Sequence, residues 1–205
     1  MAEAFFQATA WTMDTPKPYG AFHLVLTVLG VSLSIFLARK FSFPERKAGP
    51  DTILFLCGLF LGLTELYKQG FIYYIENGRT YDWWYFPFQL CSVPMYLGLF
   101  IPMVPARIRN VFYLFIQDFG LLGGIMALAE PSGLMHPYWT MTVHGFLWHF
   151  NLIFMGLICA FYNLKTETPK SYLHTIPLFL FCTAIATAVN VLSHPYGNAD
   201  MFYIS

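Results

Sequence analysis

Long apolar runs separated by short polar breaks dominate the pattern of this chain. Several runs extend for about 20 residues with almost no charge, the length an α-helix needs to cross about 30 Å of hydrocarbon. The breaks, such as "ARKFSFPERKAGPD" and "NLKTETPKS", contain the prolines, glycines and charges typical of loops. The pattern predicts six membrane-spanning helices, at residues 20–38, 51–69, 84–104, 108–129, 138–163 and 172–193.

Composition supports the same interpretation. Of the 205 residues, 57% are hydrophobic and only 11% are charged, whereas soluble domains average about 25% charged residues. We therefore expect an all-α fold, a polytopic membrane helical bundle that forms a single domain over residues 20–205. Residues 1–19 combine acidic and apolar side chains, which favours an interfacial segment. The net charge of zero argues against a nucleic-acid partner.

The distribution of lysine and arginine predicts the orientation of the bundle, because cytoplasmic loops carry an excess of these residues. Eight of the eleven lie on one set of alternate loops: Arg39, Lys40, Arg46, Lys47, Arg107, Arg109, Lys165 and Lys170. The other side has only Lys17, Lys68 and Arg79. We therefore expect the N-terminus outside, with the aromatic stretch "YDWWYF" on the outer side.

Polar residues concentrate in the predicted outer half of the bundle, and an ionisable group inside a membrane is a functional candidate because it is costly there. The candidates at the outer helix ends are Glu65, Lys68, Asn190 and His194. At 1.5 Å per residue, Cys91 is expected about 9–12 Å below the start of its helix and His149 about 16 Å below its own. Since the predicted helix ends are uncertain by several residues, these depths allow the two side chains to share a level.

Cys91 has two interpretations. Free cysteine often behaves as a small buried hydrophobe, which we expect of Cys57, Cys159 and Cys182. Cys91 differs because Gln89 and Ser92 accompany it, and a neighbouring imidazole would make its thiol a nucleophile. The four cysteines lack the spacing of a zinc site, and neither a metal nor a cofactor is predicted.

The two histidines of the fifth predicted span are the candidate bases. His144 and His149 are five residues apart and therefore point about 140° away from each other. We expect one of them to face a cavity while the other packs elsewhere, and His149 is the first choice for the interior. Glu65, Asn151 or Asn190 are the alternatives for a third group that orients the imidazole.

Other polar residues have binding roles in this hypothesis. Glu65 and Lys68, at spacing i, i+3, form either a simple ion pair or a headgroup site for phosphate or amine. Gln89, Ser92 or a backbone amide would hold an oxyanion. Two small-residue motifs, Gly58-xxx-Gly62 and Gly120-xxx-Gly124, predict close helix packing.

Four segments carry a family resemblance: "FPFQLCSVPMYL", "ALAEPSG", "HGFLWH" and "NVLSHPYGNADMFYIS". Over residues 65–205 the chain resembles the YwaF-like bacterial integral membrane proteins. That family is similar to a eukaryotic transmembrane acyltransferase that forms polyunsaturated ether phospholipids. The resemblance implies a bundle of six or seven helices, acyl transfer through a thioester, and catalytic roles for Cys91 and His149. It also implies that "NADMFYIS" leads into a further span.

These features predict a membrane-embedded lipid acyltransferase or lipid ester hydrolase in a bacterial plasma membrane, acting on membrane phospholipid. Two other functions stay open. A small-solute or ion transporter would line its path with Glu65, Asp118, His144 and His194, and a non-catalytic scaffold would only bind lipid. The oligomeric state is not predicted.

Overall fold

The computed structural model describes residues 1–42, 50–163, 168 and 170–204. The fold is all-helical, with 79% of residues in helices, as predicted. The described residues contain no strand, apart from one isolated antiparallel bridge between Thr12 and Tyr138. Arg46, Lys47 and Lys165, which contribute to the predicted orientation, lie outside the described residues.

Eight α-helices follow one another along the described chain. Their bounds are α1 Ala2–Thr9, α2 Ala21–Phe41, α3 Asp51–Phe71, α4 Val93–Phe100, α5 Ala106–Phe115, α6 Leu121–Ala129, α7 Trp139–Asn163 and α8 Ile176–Ser193. Two π-helical turns continue or join them, Ile72–Glu76 after α3 and Ile116–Gly120 between α5 and α6. The 3-10 turns are Trp83–Tyr85, Leu90–Ser92, Ile101–Met103, Pro131–Leu134, Ser171–Thr175 and Met201–Tyr203.

Four helices are long and apolar enough to cross a membrane: Ala21–Phe41, Ala106–Ala129, Trp139–Asn163 and Ser171–Ser193. They coincide with the first, fourth, fifth and sixth predicted spans. The second predicted span corresponds to α3, which carries Asp51, Glu65 and Lys68. The third corresponds to the shorter apolar helix Leu90–Met103. The count of six spans therefore stays a prediction, as does the N-terminus outside.

The third predicted span begins later than expected. Phe86 precedes a proline, which disfavours the helical conformation, and its backbone is extended at ψ 131°. Gln89 is extended as well, so the helix starts at Leu90 and Cys91 lies in its first turn. The prediction that Cys91 lies about 9–12 Å below the start of its helix is wrong for this reason.

Glycines let the helices that form the site approach closely. A Cβ atom on Gly98 would lie 2.6 Å from the carbonyl oxygen of Leu54, and one on Gly58 would lie 2.8 Å from the amide of Leu99. No side chain fits between α3 and α4 at this crossing. Gly124 has the same role between α6 and α7, since a Cβ there would lie 3.0 Å from the carbonyl oxygen of His149.

Helix α7 is the central element and packs against α2, α3 and α6. Phe146, Leu152, Met155 and Cys159 on it are fully or almost fully buried. The N-terminal helix α1 instead lies against the far end of α3, where Thr9 and Tyr67 share a hydrogen bond of 2.6 Å between their hydroxyls. This packing leaves Phe5 and Trp11 exposed, an arrangement that suits an interfacial segment.

Candidate functional site

A cavity of about 170 Å³ lies between α3, α7, the start of the Leu90–Met103 helix and two loops. Its polar lining residues are Glu65, Lys68, Gln89, Cys91, Ser92, His136, His144 and His149. Its aromatic lining residues are Trp84, Tyr85, Phe86, Trp148 and Tyr203. The structure thus brings seven of the nine predicted site residues to one cavity, while the roles assigned to them stay predictions.

Cys91 contacts both neighbouring helices. On the α6 side, a Cβ atom on Gly123 would lie 3.5 Å from Cys91 Cβ, so the absence of a side chain there makes room for the cysteine. On the α7 side, the indole Nε1 of Trp148 donates a hydrogen bond of 3.3 Å to the carbonyl oxygen of Cys91. This bond fixes Cys91 to the residue that immediately precedes His149.

The imidazole of His149 is oriented by its own helix. Its Nδ1 lies 2.7 Å from the carbonyl oxygen of Gly145, and a carbonyl oxygen can only accept, so Nδ1 carries the proton. In the neutral ring Nε2 is then the nitrogen that can take a proton. The orienting group is therefore a backbone carbonyl. Asn151, one of the expected candidates, instead donates to the carbonyl oxygen of Cys57 at 3.3 Å.

Trp148 contacts three other residues of the site, although it was not among the predicted site residues. Its ring centroid lies 5.6 Å from that of His144, and Lys68 Nζ lies 5.9 Å from it. Trp148 is only 5% exposed, so its position is fixed by packing. One of five tryptophans in an aromatic-rich chain carries no distinguishing sequence signal; only its bond to Cys91 reveals this role.

Glu65 is buried at the cavity wall with one oxygen in use. Its Oε1 accepts from Lys68 Nζ at 2.8 Å and from the amide of Gln69 at 2.7 Å. The predicted ion pair with Lys68 is therefore present. Oε2 is buried without a hydrogen-bond partner, which is unusual for a carboxylate that is 4% exposed.

Both histidines of α7 line the cavity, so the expectation that one of them packs elsewhere is wrong. The cavity extends along α7 from His144 past Gly145 and Trp148 to His149. Nε2 of His144 is buried and has no hydrogen-bond partner. Both imidazoles are bonded to a backbone carbonyl, that of His149 to Gly145 and that of His144 to Thr64, and Nε2 of His144 is left as an unused acceptor.

Two predicted site residues lie away from the cavity lining. Asn190 bonds to both backbone groups of Met201: its amide donates to the carbonyl oxygen at 3.0 Å and its oxygen accepts from the amide at 2.6 Å. His194 is exposed after α8. Gln89 does line the cavity, but its side chain donates to Asp200 O at 3.2 Å and accepts from Phe202 N at 3.0 Å.

The loop before α7 contributes two ionisable groups outside the membrane-spanning helices. The hydroxyl and amide of Ser132 donate hydrogen bonds to Glu130 and hold the pKa of that carboxyl below its usual value. Burial lowers the pKa of His136, and the charge of Lys68 lowers it further. Glu130 is therefore ionised and His136 neutral at pH 7.

The remaining candidates lie in other surroundings. Cys57, Cys159 and Cys182 are buried in the main apolar core, as expected of small hydrophobes. Asp118 belongs to the π-helical turn Ile116–Gly120 and accepts a hydrogen bond from Gln117 at 3.5 Å. No group of three or more metal-ligating side chains occurs among the residues that the structure describes.

The all-helical fold, four apolar helices of spanning length and a polar cavity between them define a multi-pass integral membrane protein. The model of the TMEM164 family, a family of transmembrane proteins, matches residues 18–205. The chain belongs to that family. No curated protein and no solved structure matches it.

Proposed function

We propose that this protein is a lipid acyltransferase or lipid ester hydrolase with Cys91 as nucleophile and His149 as base. One observation carries the proposal: Cys91 and an imidazole with a defined proton on Nδ1 line the same cavity. The bond from Trp148 to the carbonyl oxygen of Cys91 adds to it, because it links the two residues through adjacent positions of α7.

The first step forms a thioester. The thiol of Cys91 gives its proton to Nε2 of His149 as the sulfur bonds to the carbonyl carbon of a lipid ester. The bond from that carbon to the ester oxygen then breaks, and His149 returns the proton to the departing oxygen. The products are an acylated Cys91 and a lipid alcohol. Transfer of the acyl group to a second hydroxyl or to water regenerates the thiol.

The start of the Leu90–Met103 helix supplies candidate groups for the oxyanion. The first N–H groups of a helix have no intrahelical partner and favour negative charge, and Cys91 lies in this turn. The hydroxyl of the buried Ser92 is adjacent. Gln89 is less suitable than these two, because its carboxamide already bonds to the backbone at Asp200 and Phe202.

The substrate is proposed to be a membrane phospholipid. Trp84 and Tyr203 line the cavity, are 43% and 74% exposed, and lie 6.1 Å apart between ring centroids. Amphipathic rings favour the headgroup region, so this aromatic edge suits a mouth at the membrane interface. We further propose that the protein acts as the similar ether-phospholipid acyltransferase does. In this proposal it resides in a bacterial plasma membrane, and its cavity opens on the outer side.

The test measures acyl transfer and hydrolysis by protein purified in detergent and mixed with phospholipid that carries a labelled acyl chain. Wild type should release or transfer the label and should acquire one acyl mass on Cys91. Cys91→Ala should abolish both signals, because Cys91 is the one described cysteine that lines the cavity. Cys182→Ala, which removes a buried core thiol, should retain both. Unchanged turnover by Cys91→Ala would refute the proposal.

A further inference from the structure

Two buried hydrogen-bond acceptors at the cavity have no donor. Oε2 of Glu65 and Nε2 of His144 are both shut off from solvent and unpartnered, and both residues line the cavity together with Cys91. A buried polar atom without a partner costs stability, and such an atom in a native structure calls for a specific explanation. A ligand that brings hydrogen-bond donors would satisfy both.

The fold prevents the neighbouring side chains from satisfying these atoms. Lys68 and Gln69 both bond to Oε1 of Glu65, which leaves Oε2 without either donor. The ring of His144 lies next to Trp148 at 5.6 Å between centroids, but the indole N–H of Trp148 is committed to Cys91. Lys68, Gln69 and Trp148 therefore supply no donor to either acceptor.

We infer that Glu65 and His144 form the subsite for the acyl acceptor, which is a molecule with a hydroxyl group. The inference rests on the proposed function, since an acceptor is needed only once Cys91 carries an acyl group. Trp148 links the two sides of this subsite to Cys91, because it bonds to the cysteine and has both His144 and Lys68 within 6 Å of its ring. An acceptor bound there lies beside the thioester.

The acceptor's hydroxyl oxygen bonds to the thioester carbon as the carbon–sulfur bond breaks. The hydroxyl proton passes to Nε2 of His144 and from there to the departing sulfur, so the thiol is regenerated and the imidazole is neutral again. Oε2 of Glu65 accepts a second hydrogen bond from the polar end of the acceptor and orients it. His149 serves the acylation step, and His144 serves the transfer step.

The experiment separates the two half-reactions of the full chain in detergent. The donor is phosphatidylcholine with a labelled acyl chain, and the acceptor probe is monooleoylglycerol. His144→Gln should still acylate Cys91, whereas formation of the new ester should fall about a hundredfold, the usual contribution of a general base. If wild type releases only free fatty acid, water is the acceptor and the same fall should appear in that product. Unchanged product formation by His144→Gln would overturn the inference.

A binding assay tests the subsite without turnover. Monooleoylglycerol should protect Cys91 from alkylation by a maleimide, and Glu65→Gln should raise the protective concentration about tenfold. In Glu65→Gln, the new side-chain oxygen has to accept the hydrogen bonds from Lys68 and Gln69. The new NH₂ group then takes the place of Oε2 and faces the ligand's hydrogen-bond donor, which it cannot bind. Equal protection of wild type and Glu65→Gln would contradict the inference.

His23→Gln is the matched control. His23 also has one ring nitrogen bonded to a carbonyl, that of Leu128 at 3.1 Å, and one buried nitrogen without a partner. It does not belong to the cavity lining, so transfer and protection should equal those of wild type once the variant is folded. The two proposals have separate tests. Acylation retained by Cys91→Ala would refute the proposed function, whereas ester formation retained by His144→Gln would refute only the subsite.

Discussion

Two carboxylates of helix α3 occupy contrasting surroundings. Asp51 lies at the start of the helix, where one oxygen accepts from Arg109 and the other from the hydroxyl of Tyr113. Glu65 lies near the other end and has one oxygen bonded twice and the other not at all. The first carboxylate has its hydrogen-bonding needs met by the fold and joins α3 to α5. The second retains an unused acceptor at a cavity, which suits the binding role proposed for it.

The largest effect is expected at the cavity. Replacing His149 with Gln removes the proposed base, so acylation of Cys91 should fall by about a hundredfold to ten-thousandfold. Intact-protein mass measured at a series of times after mixing with phospholipid gives the rate. Asp51→Asn should keep the wild-type rate once folded, because Asp51 does not line the cavity. If Asp51→Asn acylated Cys91 more slowly than wild type, Asp51 would not have the purely structural role assigned to it here.

The second prediction concerns stability, where Asp51 is expected to matter. Asp51→Ala should lower the free energy of unfolding by about 2 kcal/mol, since it removes hydrogen bonds from Arg109 and Tyr113 to a charged group. Tyr113→Phe should cost less, because it removes only one of them. Denaturation in detergent followed by circular dichroism gives both values. Combining the two changes should cost less than their sum, because both act on the same carboxylate.

The third prediction concerns Gln89, whose two hydrogen bonds hold the segment around residues 200–202 against the start of the helix that carries Cys91. Gln89→Glu retains the acceptor for Phe202 N and loses the donor to Asp200 O, so it should destabilise the protein by about 1 kcal/mol. Gln89→Leu loses both bonds and should cost more. Thermal unfolding ranks the variants; if Leu is the milder change, the two bonds do not stabilise the fold.

The smallest expected effect is the pH dependence caused by His136. Its pKa is lowered by burial in the folded protein, so the unfolded chain binds this proton more readily. The stability that His136 contributes is therefore present above its ordinary pKa of about 6.5 and is lost as the pH falls through the lower folded value. Melting temperatures from pH 7 to pH 5 should fall less steeply in His136→Gln than in wild type. Parallel curves would exclude this contribution.

Apolar length was sufficient to predict the helices, but not their ends. The fifth predicted span, 138–163, matches α7 within one residue because no proline and no Asp, Glu, Lys or Arg interrupts it. The helix of the third predicted span begins at Leu90, six residues after the predicted start at residue 84. Phe86 prefers extended backbone because it precedes Pro87, and this preference outweighs the surrounding apolar run. Local preferences of this kind decide helix ends and with them the depth of Cys91.

The composition of the candidate site was largely predictable, whereas its connections were not. A buried ionisable residue is costly in a membrane wherever it lies, so Glu65, His144 and His149 were identifiable one by one. Asn190 bonds to Met201, 11 residues further along the chain, and Gln89 bonds to Phe202, 113 residues further along. Such pairings depend on tertiary structure and leave no local pattern.

The crossing of α3 and α4 at Gly58 and Gly98 has a mechanical consequence. With backbone against backbone and no side chain between them, these two helices have little freedom to slide or separate. Helix α3 carries Glu65 and Lys68, and the turn that leads into α4 carries Cys91, so the crossing holds these three cavity residues at a fixed separation. Any rearrangement that enlarges the cavity is therefore expected in its other lining, such as the aromatic edge of Trp84 and Tyr203.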